Sequence, residues 1–259
     1  MPHIRPESVV YSALRASDAG MSDAQNAALH GVAIKTVRRW RRDYQRRQLP
    51  RGQLHCTAPC PRCEGASLDA GAYSELLGWY LGDGYLSSAR RGVFNLHIYN
   101  DRQYVVANAR IQDLMRQVKP GGRPHTRLVP GCVITTVGWK HWPCLFPQHG
   151  PGKKSQRRIA LEPWQESIAE AHPAELLRGL FHSDGCRPVN AITKRVKGVE
   201  TRYEYPRWQF TNHSDDIRAL CGLALDQADV AWRRSSPVTI SVSRRAAVAR
   251  LDELIGLKR

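Results

Sequence analysis

Apolar residues recur along this chain at two spacings, and the switches between them mark out the elements. Within 6–48, Val9, Val10 and Leu14 space a first amphipathic helix; Ser22 with Gln25 forms a capping-box signature for a second, which carries Ala28 and Leu29 and closes at His30-Gly31. A third runs from Ala33 to Tyr44, with Val37, Trp40 and Tyr44 at the buried spacing and Lys35, Thr36, Arg38, Arg39, Arg41 and Arg42 on its other faces. Leu68 to Asp83 predicts a strongly apolar helix, after which the order is strand, strand, helix, strand, strand, helix. In Val93 to Tyr99, Phe94, Leu96 and Ile98 alternate with Asn95 and His97. Asp101 to Val118 reads as helix, His125 to Val129 and Cys132 to Val137 as a hairpin about Pro130-Gly131, and a short helix starts near Gly138. A second apolar helix over 176–185 opens the same order again. Tyr203 to Thr211 reads as a strand with Trp208 and Phe210 opposite Arg207, Gln209 and Thr211, and Ser214 to Ala228 as a helix. Val230 to Arg234 and Val238 to Ser243 form a hairpin in which Thr239, Ser241 and Ser243 oppose Val238, Ile240 and Val242, and Ala246 to Ile255 closes as a helix. The expected class is α+β: two pseudo-symmetric αββαββα repeats at 69–150 and 173–259, a basic connector at 151–172 with a short helix about Pro163 to Glu170, a Cys-rich linker at 53–68, and a small all-α domain at 1–52.

The two apolar helices share more than hydrophobicity. In Leu76-Leu77-Gly78-Trp79-Tyr80-Leu81-Gly82-Asp83-Gly84, Gly78 and Gly82 lie four apart on one face; in Leu176-Leu177-Arg178-Gly179-Leu180-Phe181-His182-Ser183-Asp184-Gly185, Gly179 and Ser183 do the same. Such a smooth stripe lets two helices approach closely, with leucines and aromatics filling the core on either side. Gly84 and Gly185 fit the left-handed position that stops a helix, which places Asp83 and Asp184 at adjoining C-terminal ends. There the helix dipole opposes a carboxylate and a second Asp opposes it again. A hard divalent cation reverses both penalties, and two such acids across a pseudo-twofold axis suit Mg²⁺ held against scissile phosphates. One Asp-Gly alone is an ordinary helix cap. Two, 101 residues apart with the same flanks, point to a shared site.

Composition narrows the partners. With 39 Lys and Arg against 23 Asp and Glu in 259 residues, a net charge of +16 predicts a polyanionic partner, nucleic acid first; ribosomal or membrane-surface association is the other reading of charge alone. No window reaches the length needed to span a bilayer, and the start Met-Pro-His-Ile-Arg-Pro-Glu lacks a signal-type apolar core, so a cytoplasmic chain without a membrane partner is expected, nucleoid-associated if bacterial. Of the seven cysteines, Cys132, Cys144, Cys186 and Cys221 are scattered singly, as suits reduced thiols. Cys56, Cys60 and Cys63 crowd one short loop and suggest structural Zn²⁺. His55 adjoins Cys56 and neighbours seldom reach one tetrahedron, so either a fourth ligand comes from elsewhere or these are plain linker cysteines.

The doubled Asp-Gly helix resembles the paired signature helices of the LAGLIDADG homing endonucleases in their single-chain, two-repeat form. The first copy matches at Leu76, Gly78, Asp83 and Gly84, and the second at Leu177, Gly179, Asp184 and Gly185; the family's earlier Asp is replaced by Leu81 and His182. The resemblance covers roughly residues 70 to 259. It implies a monomeric, site-specific double-stranded DNA endonuclease, with Asp83 and Asp184 as Mg²⁺ ligands, water as nucleophile, and two antiparallel sheets side by side as a DNA-binding saddle. The polar face of that saddle would carry Asn95, His97, Arg127, Arg207, Gln209, Thr211, Arg234, Thr239, Ser241 and Ser243. The family's water-organising polar residues fall at Asn100 and Asn212. Its lysine near the last strand falls at Lys140, with Arg244 or Arg245 as a counterpart that keeps the charge but not an exchangeable proton. The N-terminal helices resemble a helix-turn-helix in which Lys35, Thr36 and Arg39 meet base edges and the later arginines, Arg42 among them, meet phosphates, with Arg38 also on the DNA-binding helix. A helix-turn-helix joined to such a saddle is also the plan of non-cleaving transcriptional regulators derived from the same fold. Retention of both acids favours the enzyme.

Overall fold

A computed structural model describes residues 5–47, 59–196 and 199–258, which fall into two compact units divided between Pro59 and Cys60. The first unit is three helices: α1 (Glu7–Asp18), α2 (Asp23–Leu29) and α3 (Ile34–Arg47). Val10, Ala13, Leu14, Ala27, Val37 and Trp40 form its core. Ser22 and Gln25 make the predicted reciprocal cap of α2. The inward face of α2 is not Ala28 and Leu29, which are exposed, but Asn26 and Ala27. Asn26 turns inward because its amide donates to the Ala13 carbonyl at 2.7 Å and to the Ser17 hydroxyl at 2.8 Å. Gly31, at φ 59°, forms the turn into α3, a conformation that side chains with a Cβ resist. The side chain of Tyr44 lies outside the described residues.

The second unit is built on α4 (Ala70–Leu81) and α8 (Pro173–Asp184), which pack against each other more extensively than any other pair of elements. Asp69 caps α4 through the Ala72 amide, and Pro173 opens α8 at a position where a missing N–H does no harm. Gly78 faces Gly179 across the pair. A Cβ on Gly78 would stand 2.5 Å from the Leu176 carbonyl oxygen and 2.8 Å from the Leu180 nitrogen. Around this contact Leu76, Leu77, Leu176, Leu177, Leu180 and Phe181 are almost wholly buried. Glu75, fully buried, accepts from Arg110 at 2.7 Å and from Arg178 of α8 at 3.2 Å, so an ionic link also joins the halves.

Each helix of the pair leads a repeat. The first continues through β1 (Gly84–Ser88), β2 (Phe94–Asp101), α5 (Val105–Val118), β3 (His125–Val129), β4 (Cys132–Trp139) and α6 (Trp142–Leu145), with sheet order β1-β2-β4-β3. After α7 (Pro163–Ala171) and α8, the second runs β5 (Gly185–Cys186), β6 (Val189–Val196), β7 (Val199–Pro206), β8 (Trp208–Thr211), α9 (Asp215–Gln227), β9 (Arg233–Ser236), β10 (Thr239–Val242) and α10 (Arg245–Ile255), with order β5-β8-β10-β9. The two antiparallel sheets have the same topology, so the α+β class and the duplicated order hold. Several boundaries differ from the expectation, among them three in the strands. Asp101 belongs to β2, and α5 starts only at Val105 after a turn in which the Asp101 side chain accepts from the Gln103 amide. Residues 203–211 are two strands, because Pro206 lacks the donor that would carry the ladder on: β7 pairs with β6 in a separate hairpin, and β8 alone joins the sheet. That hairpin stands where the first repeat has only the short turn Arg90–Gly92. The last hairpin is shifted and shortened to Arg233–Ser236 and Thr239–Val242, with a register shift between Thr239 and Ile240.

Alternation gives each sheet one dry and one polar face. Leu86, Leu96, Ile98, Val133 and Val137 are buried in the first, and Trp208, Phe210, Ile240 and Val242 in the second. Among the described residues no helix is long and apolar enough to cross a membrane.

Candidate active site

Asp83 and Asp184 sit where α4 and α8 end. A Cβ on Gly82 would overlap the Ser183 hydroxyl and come within 3.2 Å of Asp184 Oδ2, so the close approach of the helices continues down to the acids. The glycines that follow do not adopt the predicted left-handed backbone; Gly185 is extended, at φ −98° and ψ 157°. They are required for space instead. A Cβ on Gly84 would run into the Cα of Tyr80, and one on Gly185 into the Phe181 carbonyl, because the chain doubles back tightly over its own helix to enter β1 or β5.

Both carboxyls are pushed above the usual range. Burial raises Asp83 first and Asp184 beside it raises it further, to about 6, against a partial offset from Lys258 and Lys154. Asp184 is also raised by burial, with Asn212, Lys154 and Lys258 pulling the other way. Asn212 donates its amide to Asp184 Oδ2 at 2.6 Å, while its own Oδ1 accepts from the Ser214 amide and fixes the rotamer. Asn100 does not mirror it. Buried on the dry side of β2, it donates to Asn108 Oδ1 at 3.0 Å, and its Oδ1 has no hydrogen-bond partner.

Two lysines that sequence reasoning did not single out face the acids. Lys154 Nζ donates to the carbonyls of Tyr80 at 2.5 Å, Gly82 at 2.6 Å and Gly84 at 3.0 Å, closing the C-terminal end of α4. Burial lowers it to about 8 although Asp184 and Asp83 both support its charge. Lys258, near the chain end, lies 4.5 Å from the Tyr104 ring centre; burial lowers it too, opposed by Asp83, Asp101 and Asp184. Lys140 is exposed just beyond β4.

The polar face of the first sheet presents Tyr85, Ser87, Asn95, His97, Tyr99, His125, Thr136 and Arg127 by register. His97 bridges Ser87 at 2.8 Å and Thr136 at 2.9 Å, and burial, then His125 and Arg127, hold its pKa low, so it is a neutral hydrogen-bonding ring. In the second sheet Cys186, Gln209, Thr211, Thr239 and Arg233 share the polar face. Two expected members need correcting. Ser241 is on this face but wholly buried in the central strand between Gln209 and Arg233. Arg234 pairs in register with Ile240, which directs it to the helix side, where it lies 3.9 Å from Asp215 at the start of α9. Arg207 is half-buried ahead of β8, and Ser243 is exposed just past β10. On α3, Lys35, Arg39 and Arg42 are exposed and Thr36 half-exposed, whereas Arg38 pairs with Asp23 at 3.0 Å.

Of the cysteine cluster, Cys56 lies outside the described residues. Cys60 and Cys63 are met by His141 and Cys144, the four ligand atoms all within 4.8 Å of one another. Cys144 is therefore not a scattered thiol; the fold brings it 3.4 Å from Cys63.

Solved LAGLIDADG endonucleases are similar to this chain. I-DmoI in complex with DNA and Mn shares 12% identity at TM-score 0.46, over 73% of this chain and 98% of that one. I-AabMI, a LAGLIDADG meganuclease bound to uncleaved DNA, shares 14% at 0.46, over 70% and 82%. Full-length DUF199/WhiA from Thermatoga maritima shares 15% at 0.44, over 73% of this chain and 56% of its own. No protein-family model and no curated protein sequence matches the chain.

Proposed function

We propose that the larger unit is a Mg²⁺-dependent, site-specific endonuclease of the LAGLIDADG homing type, acting as a monomer on double-stranded DNA. The observation that carries this reading is the meeting of Asp83 and Asp184, one from each repeat, at the ends of two helices in contact, with Lys154 and Lys258 beside them. Nothing in packing requires two half-buried carboxyls there, and both are driven toward protonation. The donor set is oxygen only, the two carboxylates of Asp83 and Asp184. It therefore suits a hard divalent cation. Asp83 and Asp184 would hold the ion, which when bound polarises a phosphoryl oxygen and eases deprotonation of water.

The chain's own groups supply the rest. Asn212 keeps Asp184 aimed and favours its ionised form against the burial that opposes it. Lys154 and Lys258 set positive charge against the charge that builds on the phosphate as water adds. Asn95, Gln209, Thr211 and Thr239 offer donors and acceptors to base edges, while Arg127 and Arg233 are placed for phosphates. The deciding experiment is incubation with a library of duplex targets in Mg²⁺, wild type against Asp83→Asn and Asp184→Asn. Cleavage by the wild type alone is expected; bound DNA that is never cut or nicked defeats the proposal.

The exposed Lys35 and Arg39 on α3, behind a tight glycine turn, favour a second reading in which the first unit is a helix-turn-helix and the protein a non-cleaving regulator. The same assay separates the two.

A further inference from the structure

We infer that Cys60, Cys63, His141 and Cys144 form a structural zinc site that clips the start of the larger unit onto α6. In a tetrahedral Cys₃His centre with Zn–S near 2.3 Å and Zn–N near 2.0 Å, neighbouring ligand atoms stand about 3.5 to 3.8 Å apart. Here Cys63 Sγ and Cys144 Sγ are 3.4 Å apart, Cys144 Sγ and His141 Nδ1 are 3.8 Å apart, and no pair among the four exceeds 4.8 Å. The spacing within each half is the one such sites use: Cys-x-x-Cys from one segment, and His-x-x-Cys from another 81 residues on in the case of Cys63 and Cys144.

The two halves differ in how they are held. His141 caps α6 and Cys144 lies within it, and this four-residue helix is anchored by fully buried Trp142 and Leu145, so half of the ligand set is fixed by the core. The Cys60 to Cys63 turn has less support. Cys60 is buried and its carbonyl accepts from the Glu64 amide at 2.9 Å, and between the cysteines Arg62 lies 4.6 Å from the ring centre of Trp164. Three thiols and an imidazole converge there, outside the acid pair's set of partners, and a disulfide would occupy only two of the four. A zinc ion takes all four at once and ties the Cys60 to Cys63 turn to α6.

The test is thiol footprinting of the full chain. Purified protein is reconstituted with Zn²⁺, alkylated with and without a strong chelator, and mapped by mass spectrometry, with metal content measured in parallel. One zinc per chain, with Cys60, Cys63 and Cys144 protected until chelation while exposed Cys186 reacts throughout, is the expected result. Chelation should also open the Arg62 peptide bond to trypsin. Co²⁺ in place of Zn²⁺ should give the visible bands of a tetrahedral thiolate site, lost in Cys63→Ser and kept, with altered intensities, in His141→Cys. A metal-free chain, a Cys63–Cys144 disulfide, or a site that Cys56→Ser abolishes as completely as Cys63→Ser would each overturn the assignment. None of these readouts depends on DNA cleavage.

Discussion

The tight seam between α4 and α8 sets the sharpest prediction. In Gly78→Ala the new methyl would stand 2.5 Å from the Leu176 carbonyl oxygen, 2.8 Å from the Leu180 nitrogen and 2.9 Å from the Gly179 Cα, all backbone atoms of α8. Carbon and oxygen rarely approach closer than about 3.2 Å, so the helices must part by roughly 0.5 to 1 Å, and a gap of that size forfeits a quarter to a half of each dispersion contact along the seam. Overpacking of a rigid core costs about 1 to 3 kcal/mol, and here the obstacle is backbone, which cannot rotate away. Alanine regains about 1 kcal/mol of helix propensity. With the obstacle at the costly end of that range, the net expectation is a loss of about 2 kcal/mol, read as a fall in urea midpoint at unchanged slope. Gly71→Ala is the internal control: it lies in the same helix, its nearest neighbour would be His172 Nδ1 at 3.6 Å, and it should be neutral or stabilising by up to about 1 kcal/mol. Because the seam also sets the separation of Asp83 and Asp184, cleavage by Gly78→Ala should fall even where the protein stays folded. Equal stability of the two variants would refute the close-contact argument.

Other substitutions probe the site. Lys154→Met keeps the stem but removes an ammonium bonded to three carbonyls; single-turnover cleavage should slow by roughly ten- to a hundredfold, the equivalent of a charged hydrogen bond, and an unchanged rate would remove Lys154 from the mechanism. Asn212→Ala frees Asp184 from its donor, so the Mg²⁺ concentration for half-maximal nicking should rise by roughly tenfold or more. Asn100→Ala, bonded only to Asn108, should instead lower stability by about 1 kcal/mol and leave the Mg²⁺ titration in place; a reversed pattern would contradict the asymmetry drawn here. Glu75→Gln strands Arg110 and Arg178 without their counter-charge. Since both guanidiniums keep some solvent, a loss of about 2 to 3 kcal/mol in denaturant unfolding is expected, toward the low end for a broken buried pair, and no loss would mean that the link contributes only packing.

How much of this was legible beforehand follows from the range of the forces involved. Periodicity reports burial, which is local to each element, so the duplicated order, the dry faces of β2 and β8, and the paired helices with their acids could all be read from the chain. A strand end is decided by pairing partners, and so Pro206 divided what alternation ran together. The glycines after the acids were legible as glycines but not in their reason: a helix stop and a chain folding back on its own helix demand the same residue, and only coordinates separate φ from clearance. The zinc cluster was half-visible for a related cause. Cys60 and Cys63 announce themselves by spacing, whereas His141 and Cys144 sit in another segment and look ordinary until the fold delivers them.

The lysines make the same point at the site itself. Lys153 and Lys154 are identical to a sequence reader, two members of one basic run, yet Lys154 reaches the end of α4 and is half-buried, while Lys153 stays exposed. Lys258 comes from beyond the last helix. Each cation follows the closing helix of a repeat, Lys154 after α6 and Lys258 after α10, whereas the acids end the opening helices. Duplication can supply two equivalent carboxylates because equivalent helices carry them, but it also doubles the burden of negative charge at one point. Charge balance at the pseudo-twofold axis is drawn here from the stretches that follow those closing helices, where the spacing between helix and lysine differs from one repeat to the other. Lys140, the position the family resemblance implied, is exposed, and the partial offset to the two acids comes from Lys154 and Lys258 instead.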